Sequence, residues 1–347
     1  MQTVSAQIIA NKKVLLRYDI DVQITAGKVT EDFKLSAGLP TLKLCLENAS
    51  QVILMGHLGR PEGRVVAELS VEPVRQWFAS QGFSADLQSG KFKILENLRF
   101  DPREEAGDPG FAKELAAMGE IYVNEAFGSY RPAVSTTVLP SLLPHYAGIN
   151  FAKEIAVLSE VKNNPKKPFV AIMGGAKVKE KLPVIEMLAQ KADAVLVGGK
   201  LVHELRDYHE GDPSSPALPV PQDDEVRLES VRTLSNIFVG RLNEDGLDIA
   251  SETVDAWSNL ISRAVMIIWN GPLGKFEEPK NDATKKVAQM LLESNAKVII
   301  GGGDTVAALG QYGLLQTAEE KTSVSVGGGA MLKFLTDGTL PTIEALK

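Results

Sequence analysis

Two stretches decide how this chain folds: Trp269-Asn270-Gly271-Pro272-Leu273-Gly274-Lys275-Phe276-Glu277, preceded by the apolar run 265–268, and Ile299-Ile300-Gly301-Gly302-Gly303-Asp304-Thr305. In each, an apolar strand breaks into a turn without bulky side chains, and in the second Asp304 is placed to cap a helix starting near Thr305. At the carboxyl edge of a parallel sheet this brings bare backbone N–H groups and a helix N-terminus against an anion, usually a phosphate. Two more strand-like runs end the same way, in Gly174-Gly175-Ala176-Lys177 and in Gly198-Gly199. One such turn only reverses a chain; four of them are read together as a nucleotide site that includes Gly175, Gly198, Gly199, Asn270, Gly271, Pro272, Gly301, Gly302, Gly303, Asp304 and Thr305. Lys177 and Lys181, four apart, share one face at the start of the next helix. Asp304 is the carboxylate best placed for Mg²⁺, which is usually held by one or two carboxylates plus phosphates.

Outward from these turns, one unit recurs. Short β-branched runs at 14–17, 51–55, 92–95 and 121–123 alternate with amphipathic stretches at 37–47, 71–78 and 111–118. The pattern restarts at 168–173, with further strands at 194–197, 265–268, 297–300 and 323–326 and helices at 179–190, 201–208, 252–263, 283–292 and 306–311. This order predicts an α/β protein of two Rossmann-like domains with parallel sheets, joined by a helical hinge. A first domain is expected over 1–150, a hinge helix over 151–167 ending in Lys162-Asn163-Asn164-Pro165-Lys166-Lys167, and a second domain from 168 to 335. Residues 210–225 carry four prolines and read as a loop; His203 and His209 beside it read as exposed residues at a helix end, not metal ligands.

Composition narrows the partners. With 347 residues, 44% apolar and 23% charged, the chain can bury two cores. A net charge of -7 and a pI near 5.4 argue against nucleic acid as partner, so an anionic substrate must be drawn by a local cluster of Arg and Lys. The lone Cys45 reads as a core residue. No run reaches the ~18 apolar residues of a membrane span and the N-terminus lacks the apolar core of a signal peptide, so a cytoplasmic protein is expected, and a monomer.

Three arginines follow strand-like runs of the first half: His57-Leu58-Gly59-Arg60-Pro61, Glu96-Asn97-Leu98-Arg99-Phe100 and Gly128-Ser129-Tyr130-Arg131. Loops at the carboxyl ends of parallel strands converge, and a guanidinium fork matches two oxygens of a carboxylate or phosphate at once. One half then collects an acid phosphate and the other a nucleotide with its metal, which is the arrangement of phosphoryl transfer.

In these residues the chain resembles the phosphoglycerate kinase family, collinearly over nearly its whole length, in His-Leu-Gly-Arg-Pro, Glu-Asn-Leu-Arg-Phe, Gly246-Leu247-Asp248-Ile249, Trp-Asn-Gly-Pro and residues 327–335. The resemblance implies reversible phosphoryl transfer between 1,3-bisphosphoglycerate and ADP, giving 3-phosphoglycerate and ATP, with closure of the hinge bringing two sites together. It implies that Asp19, Ile20, Asp21, Lys34, His57, Leu58, Gly59, Arg60, Arg99 and Arg131 bind 3-phosphoglycerate. It implies that Lys177, Lys181, Glu277 (at the ribose) and residues 302–305 bind ATP or ADP with Mg²⁺, and that 336–347 pack back on the first domain. Lys34, Lys177 and Lys181 are the implied catalytic residues.

Three departures stand out. The family's Asp-Phe-Asn-Val-Pro is here Asp19-Ile20-Asp21-Val22-Gln23, turning an amide into a carboxylate. Lys34 stands where the family has an arginine, keeping the charge but losing the fork. The region after Gly199 is shorter than usual by some tens of residues. The alternative on the same residues is therefore a non-catalytic or substrate-shifted paralogue that binds nucleotide. A nicotinamide dehydrogenase is disfavoured, since no Gly-x-Gly-x-x-Gly follows the first strand.

Overall fold

Runs of Val, Ile and Leu with no alternating polar residue are stable only in a sheet covered on both faces. Such runs build both sheets of the computed structural model, which describes residues 1–176, 178–206 and 234–347. The chain divides into one unit of Met1–Ala156 with Thr339–Lys347 and a second of Val157–Gly338.

In the first unit β1 (Lys13–Arg17), β4 (Gln51–Met55), β5 (Phe92–Ile94), β6 (Ile121–Asn124) and β7 (His145–Ala147) form one parallel sheet in the order β5-β4-β1-β6-β7. The carboxyl ends of β5, β4, β1 and β6 are therefore neighbours, which is what gathers the loops that follow them. Between β1 and β4 lies an antiparallel hairpin, β2 (Ile24–Thr25) and β3 (Lys28–Val29), turned by Ala26 and Gly27 with φ of 49° and 71°. Tyr18, Trp77, Phe83 and Phe92 all stand edge-on to Phe78, with ring centroids 5.0–6.2 Å away, and anchor the helix Glu72–Phe78 on the sheet.

In the second unit β8 (Phe169–Met173), β9 (Ala194–Val197), β10 (Ile237–Val239), β11 (Met266–Asn270), β12 (Lys297–Gly301) and β13 (Ser323–Val324) form a parallel sheet in the order β10-β9-β8-β11-β12-β13. Every residue of β8, β9 and β11 is buried. The helices Ser251–Arg263 and Ala283–Glu293 bury one face each, Val254, Trp257 and Ile261 on the first and Val287, Ala288 and Leu291 on the second, at the three- and four-residue spacing of a helix stripe.

The α/β class and the parallel sheets are as the sequence implies. The helix Ile149–Asn163 runs across the boundary between the units. The helix placed near Thr305 begins two residues earlier, at Gly303. The hairpin, β7 and β10, with two or three residues per strand, are not among the expected strands. Lys177 and residues 207–233, with His209 and the loop 210–225, lie outside the described residues. Exposed His203 bonds the Gly246 carbonyl through Nε2 at 3.1 Å. Cys45 is a buried free thiol. Among the described residues no helix is long and apolar enough to cross a membrane.

Candidate active site

Loops leaving β1, β4 and β5 build a cationic cradle. Asn97 clamps the middle loop, accepting from Leu58 N at 3.2 Å and donating to Leu58 O at 2.7 Å. Arg99, two residues on, donates to Gly59 O at 2.8 Å and pairs with Glu105 at 3.1 Å. Gly59 N donates to Asp21 Oδ1 at 2.9 Å. Lys34 is brought in by the short helix Phe33–Ala37, which Tyr18 secures through its hydroxyl to Leu35 O at 2.6 Å, and its ammonium donates to Asp21 O at 2.8 Å. Burial lowers the Arg99 pKa, with Glu105 and Asp21 pulling the other way and Arg17 and Arg60 adding to the fall, so these charges share one field.

Asp19 is 4% exposed; one carboxylate oxygen accepts from Ser129 at 3.4 Å and the other, Oδ2, has no partner in the protein. A buried acceptor left open is costly unless a ligand or water meets it. Ile20 and Leu58, implied at the site by resemblance, bury their side chains in the core at 0% and 2% exposure, so only their backbones can face a ligand. Arg60 and Arg131 are exposed. Arg131 fixes its loop through its carbonyl, which accepts from Thr136 at 2.9 Å.

Behind the cradle runs a buried chain of contacts. Arg17 ends β1, is 1% exposed, and donates to Ser135 Oγ at 2.9 Å, to Tyr18 O at 2.5 Å and to His57 Nδ1 at 2.8 Å. Ser135 in turn donates to Glu104 at 2.5 Å, and Glu104 is 2% exposed. Two buried opposite charges are thus bridged by a hydroxyl. His57 is held well below the usual histidine pKa, first by burial and then by Arg17, Arg99 and Lys34. Its Nε2 lies 4.0 Å from Asp21 Oδ2, which for a neutral ring is no ion pair and is too long for a direct hydrogen bond.

In the second unit the glycine turns divide into two kinds. After β8, β9 and β11 five glycine N–H groups are taken: Gly174 by Asn270 O, Gly175 by Pro272 O, Gly198 by Met173 O, Gly199 by Leu273 O and Gly271 by Thr305 Oγ1, at 2.7–2.9 Å. The bare-backbone reading of these turns is thereby corrected. They lack side chains because backbone packs on backbone: a Cβ on Gly174 would stand 2.2 Å from Pro272 O, and one on Gly271 2.2 Å from Gly174 O. Trp269 Nε1 donates to Gly271 O at 2.8 Å and fixes the turn from beneath. Lys181, 7% exposed, donates its ammonium to Gly174 O in the same turn.

The turn after β12 is the other kind. Gly302, with φ of 103°, caps the helix Gly303–Gln311 without any side-chain hydrogen bond, and around Gly303 an added Cβ would meet nothing within 4 Å. Asp304 is therefore not the cap; it is exposed in the first helical turn, where Gly303 also faces open space. Thr305 Oγ1 donates to Gly301 O at 3.0 Å and accepts from Gly271, so its side chain joins the β11 and β12 turns. Asn270, 3% exposed, has an unpartnered Nδ2, and a Cβ on Gly302 would lie 3.3 Å from it. An open helix N-terminus beside an orphaned buried donor suits an anion. Glu277 is exposed on the loop after β11, and that loop is tied to the same helix by Gln311 Nε2 to Phe276 O at 3.2 Å.

The structure thus brings together Asp21, Lys34, His57, Gly59, Arg60 and Arg99, and separately Gly174, Gly175, Lys181, Asn270, Gly271, Gly302 and Thr305. Sequence reasoning missed Arg17, Glu104 and Ser135; a basic residue closing an apolar strand, Arg17 on Val14-Leu15-Leu16, was the available signal.

The family profile described as phosphoglycerate kinase matches residues 4–212 and 214–338. A phosphoglycerate kinase of Herpetosiphon aurantiacus is 39% identical over 394 aligned positions, 99% of this chain and 98% of the relative. One of Chlorobium phaeobacteroides is 38% identical, with 96% of each chain covered. Among solved structures, phosphoglycerate kinase from Coxiella burnetii superposes with a TM-score of 0.81 at 29% identity over 97% of this chain and 96% of that one.

Proposed function

This chain belongs to the phosphoglycerate kinase family, phosphotransferases that reversibly pass a phosphoryl group between 1,3-bisphosphoglycerate and ADP in glycolysis, and we propose that it is a catalytically active member working in the cytoplasm. The observation that carries this reading is the cradle itself: where the chain departs from its family, at Lys34 and Asp21, the residues still converge on His57, Gly59 and Arg99. A chain that had abandoned the substrate has no reason to keep a buried arginine beneath His57 and an open oxygen on the buried Asp19.

In this reading Asp19, Asp21, Lys34, His57, Arg60, Arg99 and Arg131 hold 3-phosphoglycerate, the cations gripping its charged ends and Asp19 Oδ2 accepting from its hydroxyl. The turn at Gly302, with Gly303, the Asn270 amide and Lys181, holds the nucleotide phosphates; Glu277 serves the ribose. Among the described residues no group of three or more His, Cys, Asp or Glu is arranged for a metal. The exposed Asp304 suits Mg²⁺ entering with the nucleotide as part of the substrate, held jointly by that carboxylate and the phosphates. Lys34 offers positive charge to the acid substrate and Lys181 and Lys177 offer it to the nucleotide phosphates, and such charge is the main thing a protein contributes to this chemistry.

The test is a coupled assay with ATP, Mg²⁺ and 3-phosphoglycerate. Turnover that disappears in Lys181→Met and Arg99→Met is the expected result. Calorimetry showing ADP binding with no 3-phosphoglycerate binding and no turnover would instead establish the nucleotide-binding paralogue.

A further inference from the structure

We propose that Arg17 is a positioning residue: buried beneath the site and anchored through Ser135 to Glu104, it fixes His57 as the neutral ring that carries its proton on Nε2 and presents that N–H to the anionic substrate. The geometry points to this because a guanidinium has five donors and no acceptor. At 2.8 Å from Arg17 Nη2, His57 Nδ1 can only accept, so the ring's single proton must sit on Nε2. The ring cannot choose otherwise while Arg17 holds its place.

Arg17 holds its place because its other two nitrogens are engaged, Nε on Ser135 and Nη1 on Tyr18 O, and because Glu104 beyond Ser135 balances its charge in a dry interior. Glu104 also accepts from Ser135 N at 3.1 Å, and Tyr122 donates to Ser135 O at 2.8 Å, so the bridging serine is fixed on three sides. The charged groups facing His57 are Arg17 on β1, Lys34 on the helix Phe33–Ala37, Arg99 after β5 and Asp21 after β1. Three of the four oppose a second proton on the ring. The lowered pKa of His57, set first by burial and then by Arg17, agrees with a ring that donates in its neutral form.

The proposal rests on the reading of His57 as part of the acid cradle. Its test therefore begins with the ring, not with activity. In ¹⁵N-histidine spectra, with His57 assigned by its absence in His57→Gln, the parental protein is expected to show an unprotonated Nδ1 and a protonated Nε2 from about pH 5.5 to about pH 8. A protonated Nδ1, or a ring that titrates near ~6.5, overturns the proposal without any further variant.

The double variant Arg17→Met with Glu104→Gln removes donor and counter-charge together, since a buried pair is better replaced than broken. It is expected to give averaged signals from two tautomers, and a KM for 3-phosphoglycerate raised roughly two- to tenfold with little change in kcat, because only the fraction in the competent tautomer binds. His57 nitrogens identical to the parental ones in that variant would equally overturn the role of Arg17. A ring locked as expected whose Nε2 signal ignores added 3-phosphoglycerate would refute the placement of substrate at His57, so the two failures are distinguishable.

Discussion

Asp21 puts a negative charge into an otherwise cationic cradle. Its carboxylate accepts from Gly59 and stands near His57; an asparagine would keep the first bond and replace the second oxygen with a donor. Asp21→Asn is therefore expected to lower KM for 3-phosphoglycerate. The side chain is 43% exposed and solvent screens it, so the gain is about threefold to tenfold, roughly 1 kcal/mol. An unchanged or higher KM refutes the assignment. Lys34 donates to the backbone carbonyl of Asp21, not to its carboxylate, so an arginine there can keep that bond and offer a further donor to the phosphoryl group. Lys34→Arg should raise kcat by on the order of tenfold with little change in KM, one charged hydrogen bond being worth ~1.5–3 kcal/mol. Because Lys34 and Asp21 are in contact, the double variant should depart from additivity by more than ~0.5 kcal/mol; strict additivity would separate the two positions. The arginines after strand ends were legible because a loop motif carries them. Glu104 and Ser135 were not, because they act through Arg17 from two short helical segments that no spacing in the chain connects to β1, and Arg17 offered only its place at the end of an apolar strand.

At the scale of elements, a turn that packs and a turn that binds read alike in sequence. Gly174 and Gly303 both follow the carboxyl end of a buried strand, yet a Cβ on the first collides with the Pro272 backbone while one on the second enters open space. Gly174→Ala should therefore cost about 1–3 kcal/mol of stability, as overpacking does. Gly303→Ala should leave stability unchanged or slightly higher, since alanine favours a helix, and should weaken ADP binding about tenfold by filling the space where a phosphate approaches the helix terminus. Thermal unfolding and ADP calorimetry on both variants separate the cases; parental ADP affinity in Gly303→Ala would move the phosphate elsewhere. The same ambiguity explains what was legible in the fold. Strands such as β8 and β11 declare themselves through five consecutive buried residues, whereas β7 and β10 are only partly buried and pair because a neighbouring strand offers an edge, a tertiary cause the sequence does not announce.

At the scale of the whole molecule, two buried groups of the first unit shift in opposite senses and pull the pH dependence of stability in opposite directions. Glu125, 3% exposed, accepts from Asn150 N at 3.0 Å and Phe151 N at 3.3 Å at the start of the helix that runs from one unit into the other. Those bonds favour the carboxylate, but burial outweighs them, Glu154 adds repulsion, and the pKa is pushed up to about 8 from an ordinary value of 4.5. Between those two values the folded chain binds a proton that the unfolded chain has lost, so this contribution to stability is complete below about pH 4.5 and is lost as pH rises through 8. His57 runs the other way: its folded pKa is depressed, so its contribution is present above its ordinary 6.5 and is lost as pH falls toward the folded value. Over the range between roughly 4.5 and 6.5 the two slopes oppose each other, and above it Glu125 acts alone. The first unit should thus lose about 2 kcal/mol between roughly pH 6.5 and 8, at ~1.36 kcal/mol per unit. Glu125→Gln, which cannot ionise, should abolish that loss and leave the His57 slope unopposed between roughly pH 4.5 and 6.5. Hydrogen exchange of the β1 amides, at the centre of the first sheet, measures it as the difference between variant and parent at the two pH values, which cancels the intrinsic pH dependence of exchange. If the two proteins run parallel across that interval, the carboxyl is already ionised in the fold, and its two backbone bonds, not burial, govern the start of the connecting helix.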